Sequence, residues 1–401
     1  MMICLAGCSI SSMQSPSQRR PYDRESSALH PEIALHRQLT TSSMEVYFSI
    51  DRSELLYSRL AAESPFVAQV QVQVGDTTWF LLDTAWNDTP SVLRAQWTAT
   101  PRELPTWADI QVTDVLRNTA WQERRLVGST EALGANDILA WSQSEAWPLA
   151  GSHASVGDTL LLYLPQAMPS ESSLAGLWSV LQVEPPAGLP PPPFSGSRPR
   201  WDTLTSRLLG QLNADSLLVL VVPEGATVLE CEANNLRRVF FAHDAHFPEL
   251  ASAESLVAPT RYIASRAEHQ RMKEADHPKL ALDEFWLACG DSPDHARELL
   301  ETYYGRVEEA NHAFSGLVEG WKSDRGMVHI VFGVPQRVRR DSWNEYWTYG
   351  EEGTSNALTF HFRRKANPWD NGHFVLQRSM QYRSLWDRAV SNWRNGRVRA
   401  D

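Results

Sequence analysis

Alternation of apolar and polar residues is the feature that most constrains the fold of this chain. In residues 66–74 three glutamines are interleaved with apolar residues, as in a strand with one buried face. Gly75 and Asp76 then give a hairpin signal before a second run at residues 79–82. Several short strands at this spacing predict a β-sandwich-like module over residues 44–142. Its other strand-like runs are residues 46–50, 95–99, 110–116 and 124–127.

A second β-sandwich-like module is predicted over residues 143–250. Residues 201–212 have a helix-like spacing of leucines. Prolines at positions 185, 186 and 190–193 form a stiff stretch that cannot join the interior of a sheet. This stretch is either a rigid loop or a ligand for an aromatic groove, and we favour the loop. The strand-like runs of the module are residues 159–164, 177–183, 217–222, 228–231 and 238–242.

The apolar period becomes helical over residues 251–319. Ser292, Pro293 and Asp294 form a helix start, with serine as the N-cap, proline at the first helical position and an acid at the positive end of the dipole. The residues that follow place one apolar stripe at a spacing of three to four. The stripe consists of Ala296, Leu299, Leu300, Tyr303, Val307, Ala310 and Phe314.

Residues 320–401 are predicted to form an α+β module. Strands are expected at residues 357–363 and 373–377, and a final helix at residues 382–393. The aromatic stripe of that helix either packs on the small sheet, which we favour, or contacts a membrane or a partner. The predicted fold class is therefore mainly β with helices, in a multi-domain chain.

Length and charge set the remaining bounds. The chain has 401 residues and a net charge of −11, and it has no apolar run of the length that a membrane-spanning helix needs. Positive charge is in excess only from residue 320 onward, where the arginines are scattered. A scattered distribution favours a solvated surface, so we predict no nucleic-acid partner.

The first eight residues contain a lipidation signal. Leu5, Ala6, Gly7 and Cys8 resemble the lipobox at which bacterial lipoproteins are cleaved and acylated on the cysteine. Only seven residues precede Cys8, fewer than a signal peptide needs, so we interpret residues 1–8 as a signal remnant. The polar, serine-rich residues 9–43 are predicted to be a flexible tether. The other cysteines have no metal-ligand spacing, and whether Cys231 pairs with Cys289 stays open.

The most distinctive segment runs from Gly320 to Gly326. Two glycines bracket an acid, which predicts a tight turn in which the Asp324 carboxylate accepts backbone N–H groups as an Asx-turn. A strand is expected at residues 327–332. Trp321 would pack the turn onto the core, and the turn would be structural or would bind a partner. The segment reads Gly320, Trp321, Lys322, Ser323, Asp324, Arg325, Gly326.

This segment resembles the signature of GWxTD-domain proteins, a bacterial family known mainly from Bacteroidota. Ser323 stands where the family has threonine and keeps the hydroxyl needed for capping. The resemblance covers residues 261–376. It implies no established activity, and it implies a lipoprotein with β-sandwich modules ahead of the signature. Further matching positions are Phe285, Trp286, Asp291, Tyr303, Tyr304, Arg306, Val307, Ala310, Gly333, Pro335, Trp347, Tyr349, Phe360 and Phe362.

Motifs for catalysis are missing from the sequence. It contains no phosphate loop, dinucleotide fingerprint or nucleophile elbow, and we predict no enzymatic activity, catalytic residue, cofactor or metal. The best metal candidate is His243, Asp244 and His246. Because neighbouring residues of an extended chain point to opposite faces, we favour a polar strand exit. For Asp324 and Arg325 a structural turn with an arginine salt link is the favoured interpretation.

Three functions agree with these observations. The favoured one is a non-enzymatic interaction or scaffold lipoprotein of the outer membrane, anchored by lipid at Cys8 and bound to an envelope protein. The alternative is a protein that binds cell-wall glycan through exposed tryptophans, with Trp343 and Trp369 as platforms near turns. A hydrolase whose site no motif reveals is the least favoured.

Overall fold

A computed structural model shows a chain that is mainly β. Five antiparallel sheets form two sandwiches and one sheet that is covered by helices. The predicted fold class, mainly β with helices and multi-domain, is confirmed. The structure describes residues 22, 27–38, 41–59, 64–84, 90–101, 106–128, 137–164, 176–184, 188–196, 205–214, 217–231, 236–244, 246–350, 357–367, 369–370 and 372–398.

The first sandwich packs two sheets around one core. One sheet has the order β1-β2-β6, and the other has the order β3-β4-β7-β8 with β5 also paired to β4. The predicted hairpin is confirmed, since Val74 pairs with Thr77 and Gly75 has a φ of +57°. The strands are β1 (Glu32–Gln38), β2 (Ser43–Asp51), β3 (Ser58–Arg59), β4 (Phe66–Val74), β5 (Thr77–Thr84), β6 (Val92–Ala99), β7 (Trp107–Asp114) and β8 (Thr119–Leu126).

Part of the predicted tether belongs to this sandwich. The prediction of a flexible segment over residues 9–43 is wrong for residues 32–38, which form β1 and pair with β2 over seven residues. The side chain of Ile33 is fully buried in the core, and this burial stabilises the position of β1 in the sandwich. Residues 1–21 of the predicted signal remnant and tether lie outside the described residues.

The second sandwich has the sheet orders β10-β9-β11-β14 and β13-β12-β15-β16. Residues 206–214 form β13, so the helix predicted at 201–212 is wrong for the described part of that range. The predicted module boundary at residue 142 lies at the end of β9, which pairs inside this sandwich. The strands are β9 (Leu139–Ser142), β10 (Trp147–Pro148), β11 (Thr159–Tyr163), β12 (Gly176–Val183), β13 (Ser206–Ala214), β14 (Leu217–Val221), β15 (Gly225–Cys231) and β16 (Leu236–Ala242).

The two sandwiches contact each other through aromatic and charged side chains. Tyr47 on the outer face of β2 packs edge-to-face against Trp141 and Trp147, with ring centroids 6.2 and 5.6 Å away. Arg37 donates from Nε to Asp137 at 2.6 Å, and both side chains are buried. One outer face of the second sandwich is therefore partly covered by the first.

The C-terminal half forms one hydrophobic core that contains both helices and sheet residues. The predicted boundary between residues 319 and 320 therefore does not separate two cores. The sheet has the order β17-β18-β19-β20. The elements are α1 (Ala253–Val257), α2 (Arg266–Glu274), α3 (Pro278–Gly290), α4 (Pro293–Phe314), α5 (Asp324–Phe332), β17 (Arg337–Arg340), β18 (Asn344–Tyr349), β19 (Leu358–Arg364), β20 (Phe374–Leu376) and α6 (Arg383–Arg394).

α4 and α6 were predicted as helices, whereas α5 was predicted as a strand. α4 begins as expected, with the Ser292 side chain capping the His295 amide at 3.3 Å. α6 turns Trp386 and Trp393 into the core. Their rings contact Phe332 of α5 and Trp286 of α3, so the stripe packs mainly on helices and not, as predicted, on the small sheet. The strand predicted at residues 327–332 is wrong, because these residues belong to α5. Among the described residues no helix is long and apolar enough to cross a membrane.

The prolines at positions 190–193 lie against this core. The carbonyl of Pro191 accepts from Arg378 Nη2 at 2.9 Å, and the carbonyl of Pro193 accepts from the Ser379 amide at 3.1 Å. Phe194 also packs on the core. Residues 190–193 thus belong to a loop of the second sandwich that packs against the C-terminal half, in agreement with the favoured loop interpretation.

Candidate functional site

The signature segment is a helix start. Residues Gly320–Lys322 form one 3-10 turn, and Ser323 is the N-cap of α5. Its Oγ accepts from the Gly326 amide at 3.0 Å and donates to the Gly320 carbonyl at 2.6 Å. The hydroxyl thus satisfies one of the unpaired N–H groups at the helix start, so the predicted capping role of Ser323 is confirmed.

Both signature glycines allow close packing. A Cβ on Gly320 would collide with the backbone carbonyl of Ala310 in α4, and a Cβ on Gly326 would collide with the carbonyl of Gly320. Neither glycine is among those with positive φ. Their requirement is therefore steric, which differs from the turn conformation predicted for them.

Asp324 lies at the first helical position and not in the predicted Asx-turn. Its carboxylate accepts from both terminal nitrogens of Arg378, at 2.5 and 3.1 Å, and from the Leu376 amide at 2.8 Å. Burial raises the pKa of Asp324, and the contacts with Arg378 and Leu376 oppose that shift. The predicted salt link exists, but its arginine is Arg378, which also holds the proline loop through Pro191.

Arg325 points into a second buried polar cluster. Its guanidinium lies over the rings of Phe314 and Phe374, at 4.9 and 4.7 Å, and donates to the Gly372 carbonyl at 2.6 Å. Burial lowers the pKa of Arg325, and the charges of Glu345 and Asp370 oppose the shift. A guanidinium enclosed in this way stabilises the fold locally and is not presented to solvent.

Glu345 is the centre of that cluster and is fully buried. Its carboxylate accepts from the Tyr22 hydroxyl at 2.6 Å, from Trp347 Nε1 at 2.5 Å and from Arg340 Nε at 2.8 Å. The Tyr22 ring packs edge-to-face on Phe314 with centroids 4.9 Å apart. One residue of the predicted tether therefore inserts into the C-terminal half.

Trp321 packs the segment onto the core, as predicted, and is 3% exposed. Its backbone carbonyl accepts from the Tyr262 hydroxyl at 2.7 Å. Lys322 Nζ lies 5.2 Å from the centre of its ring. The indole Nε1 has no hydrogen-bond partner among the described residues, although it is buried. Trp321 is thus a signature side chain with a buried polar atom that no described residue satisfies.

A cleft of about 1020 Å³ lies beside Trp321. One wall comes from the second sandwich and includes Ala242 and His243, and the other comes from α1 and α2. Leu317 and Lys322 complete the lining on either side of Trp321. The cleft could not be predicted from the sequence, because its lining residues range from Val156 to Lys322 and meet only in the folded chain.

The candidate metal ligands do not converge. His243 is buried, whereas Asp244 and His246 are exposed. Burial lowers the pKa of His243 to about 3, and the nearby charges of His153 and Lys322 act in the same direction. Within the described residues no group of three or more metal-ligating side chains is found. The geometry agrees with the favoured strand-exit interpretation.

The other candidate residues are dispersed. Trp343 is 59% exposed, whereas Trp369 is partly buried against a small cluster that includes Val183 and Leu317. Cys231 and Cys289 lie in different hydrophobic cores and do not pair with each other. Cys8 lies outside the described residues.

Arg378, Glu345 and Tyr22 were missed by sequence reasoning. Nothing in the sequence marks a partner 54 positions from Asp324 or one 323 positions from Tyr22. Glu345 follows Asn344, and Arg378 stands between Gln377 and Ser379, so neither has apolar neighbours on both sides that would mark it as buried.

Comparison with known proteins agrees with the signature. Residues 227–395 match the model of the GWxTD domain. The match begins inside β15 and ends directly after α6, so it includes the last two strands of the second sandwich as well as the C-terminal core. No curated protein matches the chain. The chain therefore contains a GWxTD domain over residues 227–395.

Proposed function

We propose that this protein is a non-enzymatic interaction or scaffold component of the bacterial cell envelope, held at the outer membrane by lipid on Cys8. The observation that carries the proposal is an apolar open edge on the second sandwich. The buried clusters around the signature support a structural role for most of that segment, because its charged groups Lys322, Asp324 and Arg325 are paired with Glu319, Arg378 and Glu345.

The open edge consists of β13 and β14, which follow each other in the chain. Among the described strands, β14 is the last strand of one sheet and β13 is the last strand of the other. β14 has neither a charged residue nor a proline, the usual devices that prevent strand edges from pairing with other chains. Exposed fractions are 52% for Leu208, 43% for Leu209, 44% for Leu217, 56% for Val219 and 62% for Val221.

The exposed face of β14 continues a face that is already an interface. Val219 pairs with Leu161, and Leu161 pairs with Trp141. Trp141 is covered by Tyr47 of the first sandwich. The same face is therefore covered by the first sandwich at one end and is exposed at the other. We infer that an extended segment of an envelope protein pairs with the edge of β14 and covers this face.

Site-specific photocrosslinking tests the proposal. A photoreactive residue at position 219 should crosslink one protein reproducibly in cells, and one at Gln122, an exposed position on β8, should not. The captured protein is then purified. It should bind the unmodified chain and bind Val219→Lys at least about tenfold more weakly, because a buried lysine opposes docking. Equal binding, or capture of a second copy of this chain alone, contradicts the proposal.

Lipid attachment is tested separately. The wild-type chain should partition into the detergent-rich phase after Triton X-114 extraction, and the Cys8→Ser variant should partition into the aqueous phase. If both forms stay in the aqueous phase, the anchor is wrong while the interaction surface still stands.

Glycan binding remains the second candidate because Trp343 is 59% exposed. A flat exposed indole suits stacking on a sugar ring. Pull-down on purified cell-wall glycan should then depend on Trp343 and not on Val219. If Trp343→Ala retains all binding, this candidate fails.

A further inference from the structure

The cleft beside Trp321 has the composition of a binding site. Its volume of about 1020 Å³ lies at the upper end of the range for ligand pockets. Several aliphatic side chains line it, among them Val156, Leu189, Val257 and Leu317. Such walls favour apolar groups in the occupant.

Two deeply buried side chains present polar atoms without a partner at this cleft. His243 and Trp321 are 8% and 3% exposed, and both line it. Neither His243 Nε2 nor Trp321 Nε1 has a hydrogen-bond partner in the described part of the chain. Buried polar atoms are normally satisfied, so both indicate a group supplied from outside.

The indole Nε1 of Trp321 is only a donor, so the occupant must offer it an acceptor. The imidazole Nε2 of His243 is a donor or an acceptor according to the tautomer of the ring. A peptide backbone offers both kinds of group and therefore satisfies both atoms in either tautomer.

The rim of the cleft is acidic. Glu224, Asp244 and Glu254 are exposed there, whereas Lys273 is the only exposed lysine among the described lining residues. Lys322 forms an ion pair with Glu319. The rim therefore favours cationic groups next to the apolar part of the occupant.

We propose that this cleft binds a short peptide segment of a partner protein, one with an apolar side chain next to lysine or arginine. The apolar side chain lies against the aliphatic walls, the peptide backbone bonds with Trp321 and His243, and the basic residue lies at the rim. The proposal extends the interaction function proposed above, but it concerns a different surface from the β14 edge.

A saccharide fits this cleft less well. Sugars stack on exposed aromatic faces, and the Trp321 ring is 3% exposed with Lys322 beside it. A peptide satisfies both the walls and the two buried polar atoms.

Selection from a phage-displayed library of short random peptides, on the immobilised full chain, tests the proposal. The enriched peptides should share an apolar residue beside lysine or arginine. A synthetic copy should bind the doubly substituted chain Asp244→Lys, Glu254→Lys at least about tenfold more weakly. Both positions are exposed, so folding is not at risk. Glu249→Lys, exposed and outside the cleft, is the matched control and should bind normally.

The site is confirmed by nuclear magnetic resonance. Addition of the peptide should move the indole N–H resonance of Trp321, and Val219→Lys should leave that shift unchanged, which separates this site from the β14 edge. Failure to enrich any peptide overturns the proposal, and so does equal binding to the double variant. Binding of cell-wall saccharides with the same Trp321 shift would assign the cleft to glycan instead.

Discussion

Asp324 and Arg378 form a two-point ion pair in which both side chains are almost completely buried, at 3% and 5% exposure. The pair joins the first turn of α5 to the end of β20, and Arg378 continues to the carbonyl of Pro191. One carboxylate of the signature thus holds three chain segments together. The signature aspartate is explained by this network.

Removal of one member of the pair should be costly. Asp324→Asn should lower the free energy of unfolding by about 3–5 kcal/mol, because the Arg378 charge stays buried without its partner. Arg378→Met should have a similar effect, and the double variant should lose less than the sum. Urea denaturation measures all three.

The exposed pair of Arg383 and Asp387 is the matched control for this cycle. Asp387→Asn should change the free energy of unfolding by less than about 1 kcal/mol, since solvent screens the pair. Additive effects at Asp324 and Arg378 would show that the buried pair is not coupled.

Gly320 should not tolerate a side chain. Gly320→Ala forces a Cβ into the Ala310 carbonyl and should lower the free energy of unfolding by at least about 3 kcal/mol. Gly305, inside α4 with open space around its Cα, is the control. Gly305→Ala should raise stability by roughly 0.5–1 kcal/mol through helix propensity. Thermal unfolding followed by circular dichroism checks both, and a neutral Gly320→Ala would refute the steric argument.

The hydroxyl at Ser323 should matter more than the identity of the residue. Ser323→Ala removes the cap on the Gly326 amide and should lower the free energy of unfolding by about 1 kcal/mol. Ser323→Thr, the residue in the family signature, should keep most of that stability. Chemical denaturation compares the three chains. Equal stability of the alanine and threonine variants would mean that the cap contributes nothing.

Stability should fall in mild acid because two histidines are buried in the neutral form. Burial lowers the pKa of His243 to about 3 and that of His373 to about 4, with positive neighbours Lys322 for the first and Arg325 and Lys365 for the second. Below the unfolded pKa of about 6.5 only the unfolded chain takes up these protons, so unfolding becomes easier as pH falls.

Between pH 6.5 and 5 each histidine should remove about 2 kcal/mol from the free energy of unfolding. Carboxylates with ordinary pKa values stay ionised through most of this window, and the variants below assign the slope to the histidines. Urea midpoints at pH 7, 6 and 5 measure the slope. His243→Gln and His373→Gln should each lower it, and an unchanged slope in both variants would contradict the assignment.

The β-strands could be predicted from the alternation of apolar and polar residues wherever one face of the strand is buried and the other is polar. β4, with its glutamines, and the Gly75 hairpin belong to this class. The sequence predicts a helix where β13 lies, because the neighbouring Leu208 and Leu209 break the alternation expected of a strand. Both side chains are exposed on the open edge, where burial does not impose that alternation. A strand that is apolar on its solvent face does not show the period of two.

The signature segment was recognised, but its conformation was not. Residues of α5 are buried on all sides, from Asp324 to Val331, so the segment has no polar face and its apolar run fits a strand equally well. The Ser323 cap was predicted because capping is local. The link from Asp324 to Arg378 and the cleft beside Trp321 depend on tertiary packing, which no local pattern encodes.

The contact between Tyr22 and Glu345 has a geometric consequence for the anchored protein. Tyr22 lies fourteen positions after Cys8, and even a fully extended chain of that length reaches only about 50 Å. With lipid on Cys8, the contact between Tyr22 and Glu345 would thus lie within that distance of the bilayer. Release of Tyr22 would break one hydrogen bond and no covalent bond, and the C-terminal half could then move further from the membrane.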